Sequence, residues 1–422
     1  MQRTYVLEVK AGHEVMLKGW IHELRLMSKM AFVLLRDNSG IVQCVVKDKD
    51  VSNLTLESVV EIKGKAKVAK VKAEGVRDDV EVDVSEIILL SKAEKLPIQV
   101  NEKAVSSELP TRLDNRSLDV RKPRVQAIFK IQSCIISGFR EFFYKKGFVE
   151  IQTPGIIATS TEGGTEIFEV KYFDQKAYLA QSPQLYKQLI AISLEKVFLT
   201  TPVWRAEKHD TTKHINEVRQ MDIEVAFCDD MGVMKYIEEV VRYIVKKVID
   251  ECKPELEILG LTLKIPSAKY LTYKEAVELL NKHGFKMKDG EDFDPEAERK
   301  LCDLFKDCIV FTYEWPSSIK PFYIWPKNKE KGISGGFDAL YGGMEISSGG
   351  QRVHVPEILI QQLKSKGLKP ENFKWYIDAF RYGAPMHSGW SIGLERLTQT
   401  ILKLDNIREA TLFPRDRRRL TP

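Results

Sequence analysis

Arg205 and Glu207 lie two residues apart in the run WRAEKHDTTKHINE, which also holds His214 and Glu217, and Asp222 and Glu224 follow in MDIEVAF. An arginine beside an acid, then a histidine and further acids, suits holding a polyanion next to an ammonium group. The guanidinium pairs as a planar fork with phosphate or carboxylate oxygens, and the acids answer the cation. β-Favouring runs flank the polar stretch, so residues 197–227 read as a strand, a long loop and an antiparallel return. At period two, Arg205 and Glu207 share a face of the first strand, while Asp222 and Glu224 oppose the face of Ile223, Val225 and Phe227. One face is core; the other is a charged cavity or the wet side of a hairpin.

Three further runs carry chemistry. In LAQSPQLYKQLIAIS, Ser182 suits a helix N-cap and Pro183 the first helical residue. Gln184 and Lys187 then share a helix face away from Leu185 and Leu189. A lysine so near a helix start opposes the macrodipole by up to ~1 kcal/mol, so it is either solvated or paired with a carboxylate. In GGFDALYGGMEISSGGQRVH, a glycine pair lies between Asp338 and Glu345, and both acids can converge on one Mg2+ whose other ligands are phosphate and water oxygens. In APMHSGWSIGLERL, a strand runs into a helix. There Gly389 and Gly393 admit a nucleotide close to the backbone, and Arg396 can stack on adenine while reaching a phosphate. The absence of GxxxxGK[ST] and of a strand followed by GxGxxG argues against a P-loop or Rossmann nucleotide site.

Positioning these groups takes a sizeable scaffold, and 422 residues fit two or three domains. Hydrophobic content of 43% with 30% charged residues is that of a soluble globular chain. No apolar run reaches the ~18 residues of a membrane span, and the start MQRTYVLEVKAGHE lacks a signal-peptide core, so a cytoplasmic protein is expected. The six cysteines form no CxxC pair and read as reduced core residues. A net charge of +5 is compatible with nucleic acid without pointing to it. Short alternating runs from about residue 15 to 90, broken by turns such as DNSG, predict a small β barrel. On its face, Arg25, Phe32 and Gln43 are candidates to meet unstacked bases. Residues 91–124 have no sustained period and read as a hinge. Apolar residues at helical spacing predict a helix over 126–146, with Gly147 as its stop. The glycine-bearing stretch 159–170 reads as a flap or a turn. Residues 255–304 read as scaffold.

WRAEKHDTTKHINE resembles the second signature motif of class II aminoacyl-tRNA synthetases, and MDIEVAF resembles their aspartyl branch. The helix–Gly–FVEI–Thr153-Pro154 run is similar to motif 1, QSPQLYK and EISSGGQR to aspartyl motifs, GWSIGLERL to motif 3, and LFPRDRRRLTP to archaeal-type aspartyl members. The likeness covers nearly the whole chain. It implies an α+β fold: a class II antiparallel-sheet catalytic domain at 126–422, a hinge at 96–125, and an N-terminal OB-fold anticodon barrel at 1–95. The implied activity is ATP-dependent attachment of L-aspartate to tRNA(Asp) through aspartyl-adenylate, with Mg2+ on the ATP. By resemblance, Arg205, Glu207 and Arg396 are catalytic. Glu162, Ser182, Gln184, Lys187, Asp222, Arg352 and His387 hold aspartate, with Glu162 toward its ammonium and Lys187 and Arg352 on its β-carboxylate. His214, Glu345, Ser348 and Gly393 join the catalytic residues at ATP, and Asp338, Glu345 and Ser348 ligate the metal. Phe32 stacks on an anticodon base, Gln43 reads the central base, and Arg25 and His22 lie nearby. Motif 1 implies a homodimer.

His22, in GWIHEL, stands where members strict for tRNA(Asp) tend to have Trp and relaxed members His. Hence tRNA(Asn) is an expected second partner, against the alternative of a strand histidine with no role in base choice. Val218 replaces the frequent Phe of motif 2, leaving adenine to an aliphatic surface or another residue, and Ser388-Gly389-Trp390 replaces GGF or AGF in motif 3. Lys187 with Arg352 argues against an asparaginyl or lysyl ligase. A nonenzymatic RNA-binding regulator would have lost Arg205, Glu345 or Arg396, and all three are present.

Overall fold

The computed structural model describes residues 2–27, 30–69, 75–101, 107–158, 166–208 and 211–422. Two compact units divide the chain, Met1–Lys122 and Pro123–Pro422. Glu162 and most of the 159–170 stretch lie outside the described residues.

In the first unit, β1 (Glu14–Leu26), β2 (Met30–Arg36), β3 (Ile41–Lys47), β4 (Val59–Val68) and β5 (Val80–Ser91) close into a barrel in the order β1-β2-β3-β5-β4. Alternation sends Val15, Leu17, Val33, Leu35, Val60 and Ile62 into its core, and closure removes exposed strand edges. The β1–β2 register shifts between Ile21 and Glu23, which makes His22 the extra residue of a bulge. The stretch read as a featureless hinge holds two short helices, α1 (Leu109–Asp114) and α2 (Arg116–Asp119). Charge rather than an apolar stripe holds them. Buried Asp119 pairs with Arg116 at 2.6 Å, Arg112 at 2.9 Å and Lys122 at 3.2 Å, so no hydrophobic period marks them in the sequence.

The second unit opens with α3 (Pro123–Lys145), which starts at Pro123 rather than 126 because proline suits a first helical turn. After β6 (Val149–Glu150) come the small strands β7 (Ile156–Ile157), β8 (Glu169–Tyr172) and β9 (Gln175–Leu179), which form a sheet of their own. Then follow α4 (Gln184–Leu194), β10 (Lys196–Trp204), β11 (Glu217–Ala226) and α5 (Asp230–Glu251), the last capped by Asp229, whose Oδ1 accepts the Gly232 N–H at 2.7 Å. The stretch read as scaffold forms α6 (Lys253–Leu259), β12 (Ser267–Thr272), α7 (Tyr273–Lys282) and α8 (Pro295–Leu304). Beyond it lie β13 (Cys308–Tyr313), β14 (Gly336–Tyr341), β15 (Met344–Gln351), α9 (Pro356–Ser365), α10 (Lys374–Arg381), β16 (His387–Gly393) and α11 (Leu394–Leu402).

Eight strands form one sheet in the order β12-β13-β14-β15-β16-β11-β10-β6, antiparallel except at the β12–β13 and β10–β6 pairs. Its inner side is covered by α3 and α5. Phe139 of α3 meets Phe198 of β10 and Trp390 of β16 edge-on, Phe143 stacks on Phe198 and tilts against Trp390, and Met221, Ile223 and Ile392 join the same core. Trp390, a departure from the family pattern, is thus a core residue, with its indole N–H donating to the Val233 carbonyl at 3.1 Å. The opposite residues of β11, β15 and β16 turn away from this core and build the site.

Candidate active site

Strand β10 ends at Trp204 and β11 begins at Glu217, so Arg205 and Glu207 stand just past the first strand instead of sharing one of its faces. What places them is Asn216. Its Nδ2 donates to the carbonyls of Arg205 at 2.7 Å and Glu207 at 3.0 Å, and its own carbonyl accepts the Arg205 N–H at 2.9 Å. Polar residues in the loop satisfy its backbone, and the two side chains face a cavity of about 430 Å³. His214, Glu345, Ser348, Gly393 and Arg396 share that wall, and Val218 lines it too. His214 Nδ1 is 2.6 Å from the Thr211 hydroxyl.

At the other end the cavity meets a buried charge network. Helix α4 begins one residue later than predicted: Pro183 is its N-cap residue, and the Ser182 hydroxyl accepts the Gln184 N–H at 3.4 Å. Lys187, on its first turn, is 1% exposed and donates to Asp222 Oδ1 at 2.7 Å and to the Trp390 carbonyl at 3.1 Å. Glu224 Oε2 is 3.6 Å from the same ammonium. Ser391 donates to the second Asp222 oxygen at 3.2 Å. Arg352, 2% exposed, holds Glu224 with both tines of its fork, Nε at 2.9 Å and Nη2 at 3.3 Å, and lies over the Tyr323 ring. Two cations and two acids therefore sum to zero. Burial pushes the Asp222 carboxyl up, and Lys187 opposes that rise.

This geometry alters several expectations. Ser182, Gln184, Asp222 and Arg352 line the cavity, but Lys187 sits behind the wall. Glu224, the acid that orients Arg352, was legible only as the neighbour of Asp222 on one strand face. Gly389 makes room for a carboxylate rather than a nucleotide: any Cβ there would overlap Glu224 and the Ile223 carbonyl. Gly393 faces the cavity with open space around it, since an added Cβ would meet only Arg396 at ordinary distances of 3.7 Å and above. His387 is withdrawn altogether. Its ring stacks on Phe380, Nδ1 lies 2.9 Å from the Pro385 carbonyl, and burial pushes its pKa down to about 4, so it is a neutral interior group outside the cavity wall.

On the Arg396 side of the cavity, Asp338 and Ser348 are register partners across β14 and β15, while Glu345 lies near the start of β15. Asp338 is buried behind the wall and takes the Lys320 ammonium at 2.6 Å; Lys320, which faces the cavity, also covers the Trp315 ring. Burial first, and then the charge of Asp338, pushes the Glu345 carboxyl up. Two desolvated, mutually repelling carboxylates beside a serine hydroxyl are a hard-oxygen donor set that fits Mg2+ with substrate phosphates completing the ligands. Among the described residues there is no group of three or more His, Cys, Asp or Glu side chains that could hold a metal by themselves. Arg396 Nη1 donates to the Glu345 carbonyl at 3.3 Å.

Two supporting acids escaped the sequence reading. Glu298 of α8, in the stretch taken as scaffold, accepts the Glu345 N–H at 3.3 Å, and burial with the Glu345 charge pushes its carboxyl up to about 7. Glu395 lines the cavity and accepts the Arg219 N–H with both oxygens, at 3.1 and 3.0 Å; burial pushes it up to about 7. Only its place beside Arg396 in GLER could have flagged it.

On the barrel, Arg25 and Phe32 are register partners, and Gln43 pairs with Leu34, two residues along β2 from Phe32. All three point away from the core. Gln43 Nε2 donates to Glu81 at 3.0 Å, and Arg25 pairs with Glu23 at 2.6 Å. His22 Nδ1 lies 2.8 Å from Arg36 Nη1. A guanidinium only donates, so the neutral imidazole carries its proton on Nε2. Arg36 is itself held by Glu57 through two bonds of 2.8 and 2.7 Å.

An antiparallel sheet beneath one cavity that two arginines and an acid-rich wall face, in a chain that also bears a five-stranded barrel, is the architecture of a class II aminoacyl-tRNA synthetase. The chain belongs to the family described as "tRNA synthetases class II (D, K and N)", whose pattern matches residues 108–417, and residues 15–90 match an "OB-fold nucleic acid binding domain". It is 43% identical over 423 residues to the Methanocaldococcus jannaschii "Aspartate–tRNA(Asp/Asn) ligase", covering 97% of this chain and 95% of that protein. It is 42% identical to the Thermoplasma volcanium "Aspartate–tRNA(Asp) ligase", covering all of both. The crystal structure of Pyrococcus horikoshii asparaginyl-tRNA synthetase complexed with asparaginyl-adenylate superposes with a TM-score of 0.94 at 34% identity over the whole of both chains.

Proposed function

We propose that the protein joins L-aspartate to tRNA at the expense of ATP. The aspartate α-carboxylate attacks the α-phosphorus and pyrophosphate leaves; the terminal ribose hydroxyl of the tRNA then attacks the acyl carbon and AMP leaves. Neither step needs a side-chain nucleophile. What both need is placement and charge neutralisation, which Arg205 and Arg396 supply at the phosphates with Glu207, His214 and Gly393 around the nucleotide. Asp338, Glu345 and Ser348 would hold Mg2+, which neutralises phosphate charge. Ser182, Gln184 and Asp222 face the amino acid, and Arg352 presents its remaining N–H groups to the β-carboxylate while Lys187 sets the charge of the acids behind it.

The observation that carries this reading is the buried network of Lys187, Asp222, Glu224 and Arg352 at the cavity wall. Because the network sums to zero, it also admits a neutral amide, which makes asparagine the competing substrate. Aspartate-dependent exchange of labelled pyrophosphate into ATP is expected; exchange supported by asparagine and not by aspartate would overturn the assignment.

The barrel reads the anticodon with Phe32, Arg25 and Gln43, within a domain plan of 1–95, a connecting stretch of 96–125 and a catalytic part of 126–422. The anticodons of tRNA(Asp) and tRNA(Asn) differ only at the third base, and His22, donating from Nε2, can meet an acceptor on either base there, so both tRNAs are substrates. Transcripts of the two are expected to be charged at rates within tenfold. A preference for tRNA(Asp) of a hundredfold, about the 3 kcal/mol that one strong base contact supplies, would refute relaxed selection. The enzyme works in the cytoplasm as a homodimer built on α3 and β6, where Ser133, Ser137, Arg140 and Tyr144 form a shallow concavity. Light scattering at micromolar concentration should give about twice the 48.4 kDa of the chain, and a single-chain mass would reject the dimer.

A further inference from the structure

We propose that residues 405–422 are a strap that positions the Arg205–Asn216 loop for ATP, with Asp416 as its clasp. This rests on the adenylate-forming reading of the site. The strap touches the loop mainly through backbone groups. The Ile407 N–H donates to the Thr212 carbonyl at 2.8 Å, and the Asn216 N–H donates to the Arg415 carbonyl at 2.7 Å. Arg408 Nη1 reaches the Thr211 carbonyl at 3.0 Å, and Arg417 Nη1 the Lys208 carbonyl at 3.5 Å. Asn216 is the residue whose side chain fixes the carbonyls of Arg205 and Glu207, so strap and site residues are joined through one asparagine.

One end of the strap is moored: Gln132 of α3 donates to the Ala410 carbonyl at 2.6 Å. The other end is folded back by Asp416. Its Oδ2 takes Arg408 Nε at 2.6 Å, and its Oδ1 takes the N–H groups of Arg418 at 2.8 Å and Arg419 at 2.9 Å. The strap's apolar anchor is confined to its first turn, where Ile407 and Ala410 are buried. Beyond it Leu412 and Phe413 are exposed, and Pro414 is buried. Among the described loop residues 205–208 and 211–216, Ile215 is the apolar side chain committed to the interior. The loop's shape therefore depends on directional bonds from the strap, which fix geometry more than they add burial.

The test uses the full-length protein and compares Asp416→Asn with Asp416→Glu in aspartate-dependent pyrophosphate exchange. Asp416→Asn should raise the KM for ATP about tenfold, a 1.4 kcal/mol effect, while the KM for aspartate stays within twofold and thermal unfolding shifts little. Asp416→Glu should recover most of the ATP KM. An unchanged ATP KM overturns the strap, as does a parallel rise of both KM values with a lower melting temperature, which would mark general loosening. Should Asp416→Asn fail to fold, Arg408→Lys, which keeps the charge but loses the fork, is read by the same criteria. Failure of the unmutated protein to exchange pyrophosphate with aspartate would sink the aspartylation reading instead. Calorimetric ATP affinity of the variants would still decide the strap.

Discussion

Arg352→Leu should abolish aspartate activation while leaving ATP binding close to normal. The variant removes the forked partner of Glu224, an acid with 0% exposure, and the donors proposed for the β-carboxylate. Truncating one member of a buried hydrogen-bonded charge pair costs roughly 2–5 kcal/mol, because the survivor stays desolvated and unanswered. A loss of about 10³-fold or more in kcat/KM for aspartate is therefore expected, each tenfold being about 1.4 kcal/mol. Arg352→Lys keeps the charge but cannot span both Glu224 oxygens, and should fall between the two. Pyrophosphate exchange at varied aspartate and ATP, with calorimetric ATP titration, separates the terms. Full aspartate activation by Arg352→Leu would remove this arginine from the substrate site.

The second large effect concerns stability. Lys187→Met leaves two largely buried acids, Asp222 and Glu224, facing one arginine, a net buried charge worth about 3–5 kcal/mol of destabilisation. The double variant Lys187→Met with Asp222→Asn returns the network to neutrality, with Arg352 and Glu224 still paired. It should melt well above the single variant and close to the unmutated protein, yet stay inactive with aspartate because Asp222 no longer carries its charge. Differential scanning calorimetry of the three proteins reads this directly. If the single variant melts like the parent, Lys187 is not the counter-charge of Asp222.

Patterns of local spacing made much of this readable from the sequence. Period two set Asp222 and Glu224 opposite Ile223 and Val225, and the barrel strands and α3 declared themselves by alternation and by helical apolar spacing. What alternation cannot give is the partner across the sheet. Arg352 meets Glu224 at a separation of 128 residues, and nothing local to EISSGGQR announces that acid. The ends of elements were lost for a related reason. Arg205 leaves β10 because Asn216, on the far side of the loop, captures its carbonyl. The helices α1 and α2 were invisible because charge, which leaves no hydrophobic period, holds them, and Glu298 because its tie to the site is a hydrogen bond from the Glu345 N–H 47 residues away.

The glycines at the centre of the sheet also restrict which positions can drift over evolutionary time. Gly389 leaves no volume for a side chain beside Glu224, and an added Cβ on Gly349 would lie 2.6 Å from the Gly389 carbonyl and 2.7 Å from Trp390 Cβ. Adjacent strands there form a seam that close packing cannot relax, since a new atom would run into the Ile223 and Gly389 carbonyls as well as the packed side chains of Glu224 and Phe337. Lineages descending from such a site are barred from retuning amino-acid choice through these two positions. Room to retune that choice lies instead in cavity walls away from the seam, such as Gln184 of α4 and the segment from Lys320 to Ile324.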